Sequence, residues 1–127
     1  RRYSQGFTLI ELLVVVAIIG ILSAVGVVSF SGYKASAEKK QAEITLNSIY
    51  LAEQEYKSNN GEYYFNTSTS NLVTNLFDGV DDLSEQSFTF KTTNSNTLTI
   101  TATKKTNTSC TISITQTNKK PNVHSSC

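Results

Sequence analysis

The sequence has few of the residues that most enzymes and metal proteins need. Its 127 residues include one histidine, His124, and two cysteines. It contains no P-loop, no Gly-x-Ser-x-Gly motif and no paired metal motif. A zinc site would lack its third or fourth ligand. We therefore expect no enzymatic activity, no cofactor and no bound metal.

Proline is nearly absent too, because Pro121 is the only one. Between Tyr33 and Lys57 the chain has neither proline nor glycine. Apolar residues in that stretch recur at the spacing of one helix face, at Ala42, Leu46, Ile49 and Tyr56. Asn59-Asn60-Gly61 then supplies a stop signal. We predict one helix from about Phe7 to about Asn59, apolar in its first half and amphipathic in its second.

Charge is scarce at the start of this predicted helix. The 22 residues from Phe7 to Val28 contain one charged side chain, Glu11. About 20 apolar residues suffice to cross the ~30 Å hydrocarbon core of a bilayer. A carboxylate in the middle of a membrane is unfavourable by about 2.5–3.5 kcal/mol and by less near its edge. Glu11 is therefore a candidate functional residue, with a carboxylate that reaches the headgroups as the alternative.

The apolar run differs from an ordinary secretory signal peptide. Signal peptides have apolar regions of roughly 7–15 residues and are cut after them. Here the run is longer, and a glycine, Gly6, precedes it. Arg1 and Arg2 would hold the preceding segment on the cytoplasmic side.

The stretch Gly6-Phe7-Thr8-Leu9-Ile10-Glu11, followed by a long apolar helix, resembles the signature of type IV prepilins and the related pseudopilins. The resemblance is nearly residue for residue from Gly6 to Leu22 and is one of pattern only after about Gly61. Many members have proline where this chain has Val28, so a proline kink is not available here.

The resemblance implies that a prepilin peptidase cuts between Gly6 and Phe7 and methylates the new amino group of Phe7. It also implies that Glu11 pairs with the methylated amine of a neighbouring subunit and sets its register during assembly. The expected domains are a leader at 1–6, a membrane or filament-core helix at 7–32 and a globular head at 33–127.

Alternating apolar residues predict three strands in the head, at Ser87–Thr93, Leu98–Thr103 and Thr111–Thr115. Asn94-Ser95-Asn96 suits a tight hairpin, and a short helix is predicted around Ser70–Phe77, capped by Ser70 or Asn71. The second half of the long helix would cover the buried face of this antiparallel meander. The predicted class is α+β, a long N-terminal helix on a small sheet, which matches the pilin fold.

Cys110 and Cys127 lie after the apolar run, with 16 residues between them. In an exported chain they predict a disulfide, which would stabilise the fold by about 3 kcal/mol on the chain-entropy model. The alternative is two free thiols in a reducing compartment. By resemblance, a C-terminal disulfide loop favours pili over the main pseudopilins.

Acids and lysines are separated along the chain. All acids except Glu11 lie between residues 38 and 85, whereas residues 94–127 contain no acid. That tail contains four lysines, at Lys104, Lys105, Lys119 and Lys120. These lysines form either a solvated face or a phosphate-binding patch. The second alternative arises because some pilins bind DNA. Residues 91–127 have no aromatic side chain to stack on bases, so only backbone binding is open.

Four acids cluster in the connection before the strands, at Asp78, Asp81, Asp82 and Glu85. A calcium ion needs six to eight oxygen ligands, and related pseudopilins have a calcium site in a comparable loop. The spacing is not that of an EF-hand, and a turn or a cap explains it equally well.

Three functions remain open. The chain is a structural subunit, major or minor, of a type IV pilus, a DNA-binding minor pilin for competence, or a pseudopilin of a type II secretion system. Other pilins, the prepilin peptidase and an inner-membrane assembly platform are the expected partners, with DNA for the second function. The expected locations are the bacterial inner membrane before assembly and the extracellular pilus afterwards. A membrane-anchored monomer is disfavoured by Gly6 and Glu11 together.

Overall fold

A computed structural model describes residues 5–80, 83–93 and 97–127. The chain divides into two compact units, residues 1–36 and residues 37–127. The first helix, α1, runs from Leu9 to Asn60 and contributes to both units. The predicted long helix is thus confirmed, and it continues through the glycines of the apolar run, Gly20, Gly26 and Gly32.

Gly61 ends α1 as the stop signal predicts. Its φ of 84° lies in the left-handed region, which glycine adopts without strain. Its amide N–H donates to the Lys57 carbonyl at 2.7 Å. A single bond of this kind from a left-handed glycine is a common helix C-terminal motif, because it satisfies a carbonyl that has lost its helical partner.

Residues 37–127 contain a four-stranded antiparallel sheet in the order β1-β2-β3-β4. Its strands are Phe88–Thr93, Thr99–Lys104, Thr111–Thr115 and Asn122–Val123. The three predicted strands are confirmed. The two-residue β4 was not predicted, because it is too short for an alternating pattern. The predicted hairpin turn at residues 94–96 lies outside the described residues.

The inner face of the sheet forms the core with the second half of α1. Alternate residues of the first three strands are buried, among them Phe90, Ile100 and Ile112. Leu46 and Ile49 of α1 join the same cluster and are 0 % exposed. Burying one such side chain is worth about 1.5–3 kcal/mol. The second half of α1 therefore covers the sheet, as the sequence predicts, although Tyr56 is only half-buried.

The second helix, α2, spans Thr69–Leu76, close to the predicted Ser70–Phe77. The predicted caps, Ser70 and Asn71, are wrong, because the N-cap is Ser68 and makes no side-chain capping bond. Asn66 Oδ1 accepts the Ser68 amide N–H at 2.8 Å, and this local turn starts the helix earlier. A short 3₁₀ helix, Leu83–Glu85, precedes β1.

The outer edge of β1 is covered by Asn66, in the loop before α2, and by Thr69, the first residue of α2. The Thr92 N–H donates to Asn66 O at 2.9 Å, and the Asn66 N–H donates to Thr92 Oγ1 at 2.9 Å. Thr69 Oγ1 accepts the Phe90 N–H at 3.0 Å. Satisfying the polar groups of an edge strand blocks unwanted pairing with another chain.

The predicted disulfide is confirmed between Cys110 and Cys127, whose Cα atoms are 4.6 Å apart. Cys110 is 1 % exposed and belongs to the core, directly before β3. The bridge therefore attaches the C-terminal segment to the buried side of the head.

Replacing both cysteines with alanine should lower the free energy of unfolding by about 3 kcal/mol, because the unfolded chain loses its cross-link. The measurement is thermal unfolding of the full chain in detergent, followed by circular dichroism. Wild type treated with a reductant is the control and should show a similar loss. An unchanged midpoint in the double variant would contradict this prediction.

Candidate assembly site

Glu11 caps the start of α1 together with Thr8. The Thr8 amide N–H donates to Glu11 Oε2 at 2.9 Å, and the Glu11 amide N–H donates to Thr8 Oγ1 at 3.3 Å. This reciprocal pair is a capping box, which satisfies two amides that the helix itself leaves free. A negative charge in the first turn also interacts favourably with the helix dipole.

This structural role of Glu11 was not part of the sequence interpretation, although the spacing Thr-x-x-Glu signals it. The capping box holds the carboxylate at the N-terminal end of the apolar segment. Its predicted assembly partner is the Phe7 nitrogen of a neighbouring subunit, and in this chain Phe7 directly precedes Thr8. The predicted cleavage, methylation and assembly residues thus lie within six consecutive residues of the sequence.

Gly6 and Phe7 lie before the first turn of α1, in irregular backbone. Phe7 is 91 % exposed, and a Cβ built on Gly6 meets no atom within 4 Å among the described residues. Gly6 has no left-handed φ, unlike Gly61 and Gly79. Within the described chain, neither space nor backbone conformation therefore requires glycine at position 6.

The apolar segment after Glu11 exposes its side chains on all sides. Exposed fractions range from 50 % at Val15 to 78 % at Leu9 among the large apolar residues from Leu9 to Val28. By length and composition, α1 can cross a membrane. Ser23 Oγ donates to the Ile19 carbonyl at 2.7 Å, so this hydroxyl is satisfied within the helix. Such a continuous apolar surface needs a lipid or protein cover.

The four lysines of the tail are not brought into one patch. Lys104 ends β2, beside the start of β3, because Thr103 pairs with Thr111. Lys119 and Lys120 follow the other end of β3.

Two of these lysines also have partners within the chain. Lys105 Nζ donates to the Ser84 carbonyl, and Lys119 Nζ lies 5.2 Å from the centre of the Tyr50 ring. The DNA-binding hypothesis therefore involves two separate pairs of lysines, each with one member already engaged.

The acidic connection is only partly described, because Asp81 and Asp82 lie outside the described residues. Asp78 has a φ of 52°, a left-handed conformation that aspartate tolerates in turns. Over residues 5–80, 83–93 and 97–127, no group of three or more His, Cys, Asp or Glu side chains could hold a metal ion. Among the described residues of this connection, Asp78 therefore has a structural role in a turn.

Glu53 is a buried acid that the sequence interpretation did not single out. It is 0 % exposed, and its Oε2 accepts the Tyr64 amide N–H at 2.9 Å. Burial raises the pKa of Glu53 from 4.5 to about 7, and the Tyr64 amide opposes this shift. The signal was its spacing, because Glu53 follows Leu46 and Ile49 on the same helical face.

Comparison with known proteins supports the motif at the N-terminus. Residues 1–27 match the prokaryotic N-terminal methylation motif. The chain is 40 % identical over 60 residues to the type IV major pilin protein PilA of Myxococcus xanthus, which covers 47 % of this chain and 27 % of that protein. It is 39 % identical over 70 residues to a fimbrial protein of Neisseria meningitidis serogroup B, covering 55 % of this chain and 41 % of that protein.

A type IV major pilin protein PilE of Neisseria gonorrhoeae is 47 % identical over 62 residues, which are 49 % of this chain and 33 % of that protein. The chain thus spans less than half the length of these relatives. No solved structure matches it significantly. The predicted fold is confirmed, and the predicted resemblance to type IV pilins agrees with the N-terminal motif and with a sequence similarity in about half of the chain. They also support an inner-membrane location before assembly and an extracellular pilus afterwards.

Proposed function

We propose that this chain is a structural, non-enzymatic subunit of a type IV pilus. Prepilin peptidase cleaves it between Gly6 and Phe7, removes the leader at 1–6 and methylates the Phe7 amine. An inner-membrane assembly platform then polymerises the subunit into a surface filament for adhesion, twitching motility or DNA uptake. Segment 7–32 forms the filament core, and the head at 33–127 faces outward.

One observation carries this proposal: Thr8 and Glu11 cap the start of an apolar helical segment whose side chains are exposed on all sides. Burying that helix among copies of itself would remove its large apolar surface from water and lipid. A carboxylate entering such a core needs a positive partner, because an unpaired buried charge is strongly unfavourable. The methylated amine of Phe7 on a neighbouring subunit meets that need and also fixes the register.

The test is mass spectrometry of filaments sheared from cells. The expected result is a chain that begins at methylated Phe7 and dominates the filament fraction. Its absence from that fraction would contradict the proposal. A processed chain present only in traces would favour a minor pilin or a type II secretion pseudopilin.

A DNA-binding minor pilin is the second candidate, because residues 94–127 contain lysines and no acid. If this candidate holds, replacing Lys119 and Lys120 with alanine should weaken DNA binding and lower its salt slope by about 2, since each phosphate contact contributes roughly 0.9. Binding of the purified full chain to duplex DNA is measured over a series of salt concentrations.

The matched control replaces Lys104 and Lys105, which lie at the opposite end of β3. If only one pair binds DNA, the other double variant should bind as wild type does. An unchanged slope in both double variants would remove the tail from consideration as a DNA-binding surface.

A further inference from the structure

Glu53 has no role in processing or assembly at the N-terminus, yet it occupies the interior of the head. One carboxyl oxygen, Oε2, accepts the Tyr64 N–H. The other, Oε1, is buried and has no hydrogen-bond partner among the described residues. A neutral carboxyl tolerates this position better than a carboxylate, whose charge would lose its hydration without compensation.

No cation on α1 compensates Glu53. Lys57 lies four residues later, at a spacing suited to an ion pair. Its ammonium group instead lies 4.5 Å from the centre of the Tyr63 ring. Among the described residues, the ion pair with a nitrogen–oxygen distance of 4 Å or less joins Lys40 to Glu43 and does not involve Glu53. The other titratable groups of α1 within four residues of Glu53 are the phenols of Tyr50 and Tyr56 and the exposed carboxyl of Glu55.

The surrounding elements supply no compensating charge either. Helix α2 contains no titratable residue, and the buried positions of β1, β2 and β3 are apolar except for Thr92. Lys91 of β1 and Glu62 of the loop after α1 are exposed. The ammonium group of Lys119 instead lies over the Tyr50 ring. Desolvation therefore dominates the ionisation of Glu53, as its raised pKa of about 7 indicates.

The Tyr64 amide belongs to a short loop, residues 61–66, between α1 and the edge of β1. The loop begins at the left-handed Gly61 and ends at Asn66, which is bonded to Thr92. Glu53 ties the middle of this loop to α1 through main-chain Tyr64. Gln54 adds a side-chain bond, because its Nε2 donates to the Tyr63 hydroxyl at 3.1 Å.

We propose that Glu53 is a pH-sensitive latch, closed when its carboxyl is neutral and released when the carboxyl loses its proton to solvent. The carboxylate can be hydrated only if water reaches Oε1, and water enters when the loop lifts from α1. Gly61 is the hinge, since its backbone is the least restricted in the loop. The latch makes the surface of the loop respond to the pH around the head, and it does not depend on filament formation.

The pH range follows from the sign of the shift. A carboxyl whose pKa is higher in the folded state contributes its full stability below its ordinary pKa of 4.5. That contribution is lost as the pH rises through about 7. The loop should therefore open more often in mildly alkaline surroundings than in mildly acidic ones.

Amide hydrogen exchange tests the latch in the isotopically labelled full chain in detergent micelles. After correction for intrinsic exchange rates, protection of the Tyr64 amide should fall about tenfold between about pH 6 and about pH 8. Glu53→Gln, which cannot ionise, should show less than about a twofold fall. The matched control Glu55→Gln changes an exposed acid two residues away and should behave as wild type.

Constant Tyr64 protection in wild type, or the same fall in Glu53→Gln, would overturn the proposal. If Glu53→Gln does not fold, the wild-type chain still decides the question through the ¹³C shift of the Glu53 carboxyl carbon. A titration midpoint above about pH 6 that coincides with the fall in Tyr64 protection supports the latch, and a lower midpoint overturns it, because a hydrated carboxyl titrates near its ordinary pKa of 4.5.

Discussion

Glu11→Ala should leave the chain processed and methylated but reduce its filament yield by at least about tenfold. In the assembled core, the variant would leave the Phe7 amine of a neighbouring subunit buried without its partner. Removing one member of a buried ion pair typically costs about 3–5 kcal/mol. The measurement compares the chain in sheared filaments with the chain in membranes. Normal filament yield from Glu11→Ala would contradict the proposed pairing.

Two controls separate charge pairing from the capping box. Glu11→Gln keeps an oxygen that accepts the Thr8 amide but has no charge, so it should assemble as poorly as Glu11→Ala. Thr8→Val removes the hydroxyl that accepts the Glu11 amide, and it keeps the charge. Loss of such a cap costs about 0.5–2 kcal/mol of helix stability. Thr8→Val should therefore assemble better than either Glu11 variant. The reverse order would assign Glu11 to helix capping alone.

Gly6→Val should abolish processing, so that the chain keeps its leader in the intact mass spectrum. The described chain leaves open space at Gly6 and does not need its backbone freedom. No requirement for glycine at position 6 therefore arises within the described residues. The proposed source of the requirement is the peptidase, in whose site a β-branched side chain would crowd the bond between Gly6 and Phe7.

The control is Gly26→Val, which adds the same side chain in the apolar part of α1. A Cβ at Gly26 also meets no atom within 4 Å among the described residues. This variant should be processed normally, because its site lies about five helical turns beyond the cleaved bond. A mature-length chain from Gly6→Val would show that the peptidase does not read this glycine.

The candidate site at the N-terminus could be proposed from the sequence because its signals are local. Gly6, Phe7 and Glu11 are neighbours in sequence, and the apolar run after them needs only its length to indicate a membrane or filament core. The Thr8–Glu11 capping box is equally local, and its Thr-x-x-Glu spacing is visible in the sequence. A residue with a strong functional interpretation can also have a structural role, and the variants above separate the two.

Glu53 illustrates what the local pattern does not settle. Its spacing from Ile49 places it on the buried face, but glutamate is normally found at the surface. Whether the carboxyl is hydrated depends on the loop that follows Gly61 and brings the Tyr64 amide to it. Its partner, Tyr64, is eleven residues away. Only the folded chain shows that one oxygen is bonded and the other is not.

By itself, the sequence determined the long helix, its glycine stop, the three longer strands and the cysteine pair. Each rests on a periodicity or a turn that a few consecutive residues specify. The tertiary structure decided the fourth strand, the covered edge of β1, the separation of the lysine pairs and the burial of Glu53. These features depend on contacts between distant segments, where hydrogen bonding and desolvation are set by the neighbours that folding supplies.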